Sequence, residues 1–203
     1  MEALFLNRRR SSNELFGTGL SDLIMFYYAI QVRTRSEEKF IRLFKKENPD
    51  NPFQIYFPKR QLNIRRAGKT RLSTYSIFPG YIFVESNNED IIDYQYSFRK
   101  TEGFYRFLKS NKEITPLSDQ DMELVLHFLK TVGSVAGVSK VCFNDNSRIV
   151  VLEGPLAGLE GRIIKVDKRK GRAKIKLDLY DESFSIDLAF EVIGSLESAK
   201  KAS

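Results

Sequence analysis

The 203 residues hold one cysteine, one histidine and no tryptophan. A lone Cys142 excludes an intramolecular disulfide, and Cys142 with His127 cannot assemble a four-cysteine or a two-cysteine, two-histidine zinc centre. Neither G-x-x-x-x-G-K-[ST] nor G-x-G-x-x-G occurs, so no loop signals a nucleotide and no cofactor is expected. No apolar run approaches the ~20 residues of a membrane-spanning helix. Arg8-Arg9-Arg10 near the start is not followed by the apolar core of a signal peptide, so a cytoplasmic address without a membrane partner is expected. Catalytic groups are scarce as well. His127 falls between apolar helix neighbours, Cys142 reads as a small buried hydrophobe, and Asp119, Asp121 and Glu123 sit in a helix first turn, where the helix dipole alone favours acids. No enzymatic activity, catalytic residue or metal ligand is expected.

What is present is a basic, core-forming chain. Hydrophobic residues make up 42%, and 33 Lys and Arg against 26 Asp and Glu leave a formal charge of +7. That balance favours a polyanionic partner, nucleic acid first.

The stretch Ser76-Ile77-Phe78-Pro79-Gly80-Tyr81-Ile82-Phe83-Val84-Glu85 carries the strongest local signal. Pro79-Gly80 fixes a turn and a run of β-branched and aromatic residues follows it. On that strand Ile82 and Val84 share one face, Tyr81, Phe83 and Glu85 the other. The aliphatic face suits a core under helices. The aromatic face needs a second cover, either a helix of the same chain or a partner.

Around this motif the chain divides. Residues 1–25 show neither strand alternation nor a helical stripe and read as a disordered extension, or as residues preceding a start at Met25. Phe26–Arg33 reads as a strand. Ser36 is a candidate N-cap for a helix with the stripe Phe40, Ile41, Leu43 and Phe44, ended by Asn48-Pro49. Phe53–Phe57 is a second strand. Lys59, Arg60, Arg65, Arg66, Lys69 and Arg71 then decorate a hairpin with Gly68 at its tip, readable as a solvated edge, as a phosphate contact, or both. Asn88–Phe98 reads as a weak helix and Gly103–Leu108 as a strand. Ser118 with Asp121 marks a capped helix whose stripe is Met122, Val125, Leu126 and Leu129. The order suggests an α+β fold with a ferredoxin-like antiparallel sheet and helices on one face over residues 26–130. Residues 131–144 read as a short linker. Ser147–Leu152, Gly161–Val166, Ala173–Leu179, Phe184–Leu188 and Phe190–Ile193 read as strands of a small β-barrel over 145–194, with 195–203 a tail.

Charge in the second unit is polarised. From Asp145 onward there are eleven basic and ten acidic residues, yet eight of the eleven lie between Arg162 and Lys176 beside one acid, Asp167. A phosphate backbone is the natural partner, through Lys165, Lys168, Arg169, Lys170, Arg172 and Lys174.

Three segments, Phe26–Val32, Phe78–Val84 and Gly154–Val166, together resemble the NusG family of transcription elongation factors in order and spacing, over residues 26–194. The resemblance implies an N-terminal NGN domain and a C-terminal KOW domain in a monomeric chain. It implies that an aromatic face, with Tyr81, Phe83 and Phe107 at matching positions, docks on the clamp helices of the largest RNA polymerase subunit. Arg33, Arg35, Lys39 and Arg42 would meet the non-template DNA strand, the last three sharing a helix face unless that face is simply solvated. Tyr180 matches the position at which housekeeping members contact Rho or a ribosomal protein, although Asp181 replaces the usual glycine. Within the family, Phe57-Pro58-Lys59-Arg60, Arg65-Arg66 and the Lys165–Ala173 segment look like the LoaP subgroup of processive antiterminators. Tyr27-Tyr28 stands where housekeeping members usually carry Trp-Tyr. The competing expectations are a general factor coupling transcription to Rho or the ribosome, and a standalone RNA-binding KOW protein, which would leave Tyr81 and Phe83 without purpose.

Overall fold

The computed structural model describes residues 26–108, 111–130, 135–179 and 182–194. Residues 1–25, the tail from Ser195, and Tyr180 with Asp181 lie outside them.

The alternating run Phe26–Val32 forms β1, between β5 (Tyr81–Ser86) and β6 (Phe104–Phe107), both antiparallel to it. β2 (Gln54–Tyr56) closes the other side of β5. Helices α1 (Glu37–Glu47), α2 (Asn88–Asp93) and α3 (Gln95–Lys100) cover one face. They bring Phe40, Phe44, Ile91 and Phe98 against Tyr28, Ile30, Val32, Ile82 and Val84, all buried. Phe44 stacks on Phe98 with ring centroids 4.0 Å apart. The weak helix expected over 88–98 is two helices meeting at Tyr94, whose N–H donates to Asp90 O. Ser36 takes the N-cap of α1, but its hydroxyl makes no cap bond.

The basic segment is a hairpin, β3 (Lys59–Arg66) and β4 (Lys69–Ser76). Ala67 (φ +48°) and Gly68 (φ +76°) form a tip of two successive left-handed residues, the geometry that matches strand twist in a two-residue turn. β7 (Val135–Ala136) joins β3 in parallel. Helix α4 (Asp119–Lys130) starts at the expected cap, where Ser118 Oγ accepts from Asp121 N at 3.3 Å and donates to its carboxylate. Its buried stripe is Leu124, Val125 and Phe128, rotated from the expected one, with Met122 and Leu129 partly packed.

The remaining strands, β8 (Ser139–Phe143), β9 (Ile149–Glu153), β10 (Ile163–Asp167), β11 (Arg172–Leu179) and β12 (Glu182–Val192), form one sheet in the order β10-β11-β12-β8-β9, with only β8 and β12 parallel. Two differences from the sequence reading stand out. The two strands expected over 184–193 are one, and the expected linker 131–144 contains β7 and β8. Small residues there serve packing: Ser139 is fully buried, its Oγ accepts from Leu156 N at 3.0 Å, and a Cβ at Gly154 would lie 2.7 Å from Ser139 Cα. A close backbone approach of this kind erases the hydrophobic alternation by which a strand is read.

The second face of the first sheet is covered from within the chain. Ala29, Tyr81 and Phe83 share a core with Leu124, Val125 and Phe128 of α4 and with Leu177, Leu179 and Ile186 of the second sheet.

Candidate functional site

Tyr81 and Phe83 are positioned by the turn before them. Gly80 adopts φ +84°, its O accepts from Val32 N at 2.8 Å, and its N–H donates to the buried Glu37 Oε1 at 2.7 Å. A Cβ there would meet Thr34 Oγ1 at 2.9 Å. The start of α1 and the end of β1 thus hold the turn together, which sets the register of β5: Tyr81 opposite Gln31, Phe83 opposite Ala29, Glu85 opposite Tyr27. Directly opposed residues share a face. This face therefore carries Tyr27, Ala29, Gln31, Tyr81, Phe83 and Glu85, joined by Tyr56 opposite Phe83 and Arg106 opposite Gln31.

One end of the face is polar. Glu85 accepts from Tyr27 Oη at 2.9 Å and from Tyr56 Oη at 2.5 Å. Burial first, then the Glu85 carboxylate, raises both phenols, that of Tyr56 to about 12. The centre is aromatic and closed. Tyr81 is 2% exposed and Phe83 0%. Phe78 meets Phe83 and Phe128 edge-on at 5.4 and 6.1 Å, and Phe184 of β12 meets Phe78 and Tyr81 edge-on at 5.6 and 5.8 Å. The Tyr81 hydroxyl is buried without a hydrogen bond of good geometry; burial, then the neighbouring Glu182, raises its pKa. At the rim Arg106 donates to Gln31 Oε1 at 2.8 Å and reaches Glu182 Oε1 at 3.4 Å, a half-exposed bridge between the two sheets.

Phe107 does not belong to this face. It pairs with Ile30, which pairs with Ile82, so its ring lies on the opposite face, under Phe98 and Phe104. A register shift between Gln31 and Val32 puts Phe104 and Phe107 on the same face, and Arg106 of β6 with Leu108 just beyond the strand lie on the aromatic side.

The expected DNA-facing cations separate. Arg35 precedes α1 in a left-handed conformation (φ +67°), so it does not share the helix face of Lys39 and Arg42. Glu102 takes Lys39 at 2.9 Å and Arg33 at 4.0 Å. Arg35 and Arg42 are exposed, with no ion pair among the described residues.

In the second sheet the basic turn is better assembled. Ile175 and Leu177 are fully buried while Lys174 and Lys176 point outward, within 3.5 Å of Asp187 and 3.4 Å of Asp178. Lys168 turns away, its Nζ 3.9 Å from the centre of the Phe143 ring. Lys170 lies 3.6 Å from Asp167, and Arg169 and Lys165 are exposed. Arg172 Nη2 donates to Asn63 O at 2.7 Å, tying the turn to the β3–β4 hairpin. Tyr180 lies outside the described residues.

Phe184 and Glu182, which cover Tyr81, escaped the sequence reading; only the alternation of β12 hinted that Phe184 faces a core. His127 meets Pro155 O at 2.9 Å through Nε2 and is a packing residue. Among the described residues no cluster of three or more His, Cys, Asp or Glu could hold a metal ion, and no helix is long and apolar enough to cross a membrane.

This geometry can be set beside known proteins. The family model described as "Transcription termination factor nusG" matches residues 25–126, half of the chain. The "Transcription termination/antitermination protein NusG" of Buchnera aphidicola is 27% identical over 142 residues, covering 69% of this chain and 76% of that protein. The protein of that name from Thermus thermophilus is 23% identical over 177 residues, covering 82% and 96%. The solved structure described as "Domain interaction in Thermotoga maritima NusG" aligns with a TM-score of 0.43 at 19% identity, over 83% of this chain and 95% of that one. With half of its length matched by the family model, the chain belongs to the NusG family of transcription termination/antitermination factors.

Proposed function

We propose that the chain is a processive antiterminator of the LoaP type, which docks the Tyr81/Phe83 face of its NGN domain on the RNA polymerase clamp helices and reads nascent RNA with the basic turn of its KOW domain. The observation that carries the reading is the cover over the aromatic face. Part of it is Phe184, a ring from the second sheet, held over Tyr81 beside a half-exposed Arg106–Glu182 bridge. Such a ring can leave without dismantling the core under α1, α2 and α3, which is a separate cluster. Docking then requires the closed form to open, and the polymerase shifts that population by its differential affinity for the open one. Aromatic burial at about 25 cal/mol per Å2 gives such a face enough apolar area to supply docking energy.

On the docked protein, Arg35 and Arg42 are the cations free to meet the non-template strand, Arg33 and Lys39 being engaged by Glu102. Lys165, Arg169, Lys170, Arg172 and Lys174 would contact RNA phosphates, while Lys168 is held over the Phe143 ring. Binding the elongating state more tightly than the paused one suppresses pausing and termination without bond chemistry. The test is transcription across a terminator by purified polymerase, with and without the leader RNA of a candidate operon. Leader-dependent read-through is expected; read-through indifferent to the leader would replace this reading with a general elongation factor.

A further inference from the structure

Between the β3–β4 hairpin and the β10–β11 turn lies a cleft of about 660 Å³. Ile64, Arg65 and Thr70 of the hairpin form one wall, and Arg169, Lys170 and Arg172 of the turn form the other. That volume falls within the ~300–1,000 Å³ of pockets that hold small ligands. Its described lining contains no carboxylate; the acid next to it is Asp167, 3.6 Å from Lys170 and directly opposite Arg172 in the β10–β11 pairing. A second, smaller cavity of about 200 Å³ continues from Lys170 and Arg172 past Lys165 and Lys174. The two share a basic edge.

The walls belong to different units and are nonetheless fixed to each other. Arg172 Nη2 donates to Asn63 O at 2.7 Å, while its Nε is buried without a partner. Beneath it the half-buried Arg60 donates to Ser76 O at 2.5 Å, and its Nε is likewise unpartnered. Burial lowers the Arg60 pKa, attraction by Asp187 opposes this, and the Arg172 charge lowers it further. Two carboxylates, Asp167 and Asp187, line the smaller cavity, and Asp187 also serves Lys174, 3.5 Å away. Positive charge is therefore in excess along the seam, which suits an anion with several acceptor oxygens. Arginine suits this, since its planar fork presents paired donors to phosphate. Ile64 adds an apolar residue to the lining beside the cations, against which a base or ribose can rest.

We infer that the hairpin and the turn form a single phosphodiester-binding cleft for RNA, in which Arg65 from the NGN domain and Arg169 and Arg172 from the KOW domain hold one strand between them. The inference rests on the RNA-binding reading given above and adds the hairpin wall to it.

Arg65 and Arg169 are both exposed, so their charge can be reversed without disturbing a core. The experiment is fluorescence anisotropy of the full chain with a single-stranded RNA of about 12 nucleotides, within the span of ~4–16 nucleotides typical of small single-strand-binding folds. DNA of the same sequence is run in parallel, across a range of salt. Arg65→Glu and Arg169→Glu are each expected to weaken RNA binding about fivefold or more, at one RNA per chain, and to flatten the salt dependence by about 0.7 for each phosphate no longer neutralised. Equal losses for DNA would assign the cleft to phosphodiester backbones in general and overturn its preference for RNA. Loss with Arg169→Glu alone would overturn the two-walled cleft and leave the KOW reading standing. Loss with Arg65→Glu alone, or two RNAs per chain, would overturn the shared cleft as well. No loss with either variant would remove the RNA-binding reading itself.

Discussion

The ring of Phe184 stands perpendicular to that of Tyr81, with centroids 5.8 Å apart and planes at 89°. Tyr81 lies in the strand set by the Pro79-Gly80 turn and Phe184 in the longest strand of the second sheet, so this one pair joins the two halves of the chain. The aromatic face is thus an internal seam when the protein is closed and, in our proposal, a docking face when it is open.

The turn that sets Tyr81 is sterically exacting. Gly80→Ala places a side chain at φ +84° with its Cβ 2.9 Å from Thr34 Oγ1. We expect a loss of about 2–3 kcal/mol in urea denaturation, of which the left-handed backbone alone accounts for about 1–2. Adding Thr34→Ala should recover the steric part and leave the backbone part. Full recovery would show that backbone conformation matters little here.

Alkaline stability should follow the Tyr27–Glu85–Tyr56 cluster. The folded protein holds both phenolic protons more tightly than the unfolded chain does, because burial and then Glu85 raise their pKa. The stabilisation is fully present below the unfolded value of about 10 and is lost as pH climbs past it towards the folded value of about 12 for Tyr56. Denaturation midpoints should therefore fall across that window, and Tyr27→Phe with Tyr56→Phe should flatten the fall. An unchanged alkaline slope in the double variant would contradict the assignment.

Among the cations of the first domain, removal of charge should matter unequally. Arg42→Glu and Arg35→Glu should reduce cross-linking to the non-template strand in an elongation complex several-fold, as expected when a cation no longer meets a phosphate. Lys39→Ala should do little, since Glu102 already holds that ammonium at 2.9 Å. A larger effect from Lys39 than from Arg42 would reverse the assignment.

Much of the fold is local and hence readable from residues alone. Alternation placed Ile82 and Val84 under the helices, the Ser118–Asp121 spacing marked the start of α4, and Gly68 marked the hairpin tip. What failed was non-local. The face of Phe107 depends on its pairing with Ile30 in a neighbouring strand, which leaves no mark on Phe104–Phe107 itself. The cover over Tyr81 comes from a ring far along the chain, and Arg172 finds its acceptor on a hairpin of the other unit. β8 was concealed because Ser139 and Gly154 are small to let two backbones meet. Charge density located the basic turn, but not which cations share a cleft and which, like Lys168, lie against a ring instead.

The most direct measurement is the affinity of purified RNA polymerase for the wild-type chain, for Phe184→Ala, and for Phe184→Ala combined with Tyr81→Ala, with circular dichroism confirming that each is folded. Removing the half-buried Phe184 ring weakens the closed form by about 2 kcal/mol, and because apparent affinity scales with the open fraction, binding should tighten by up to about thirtyfold. Adding Tyr81→Ala should abolish that gain. Unchanged or weaker binding by a folded Phe184→Ala variant, or a gain that survives loss of Tyr81, would show that the covered face is not where the polymerase docks.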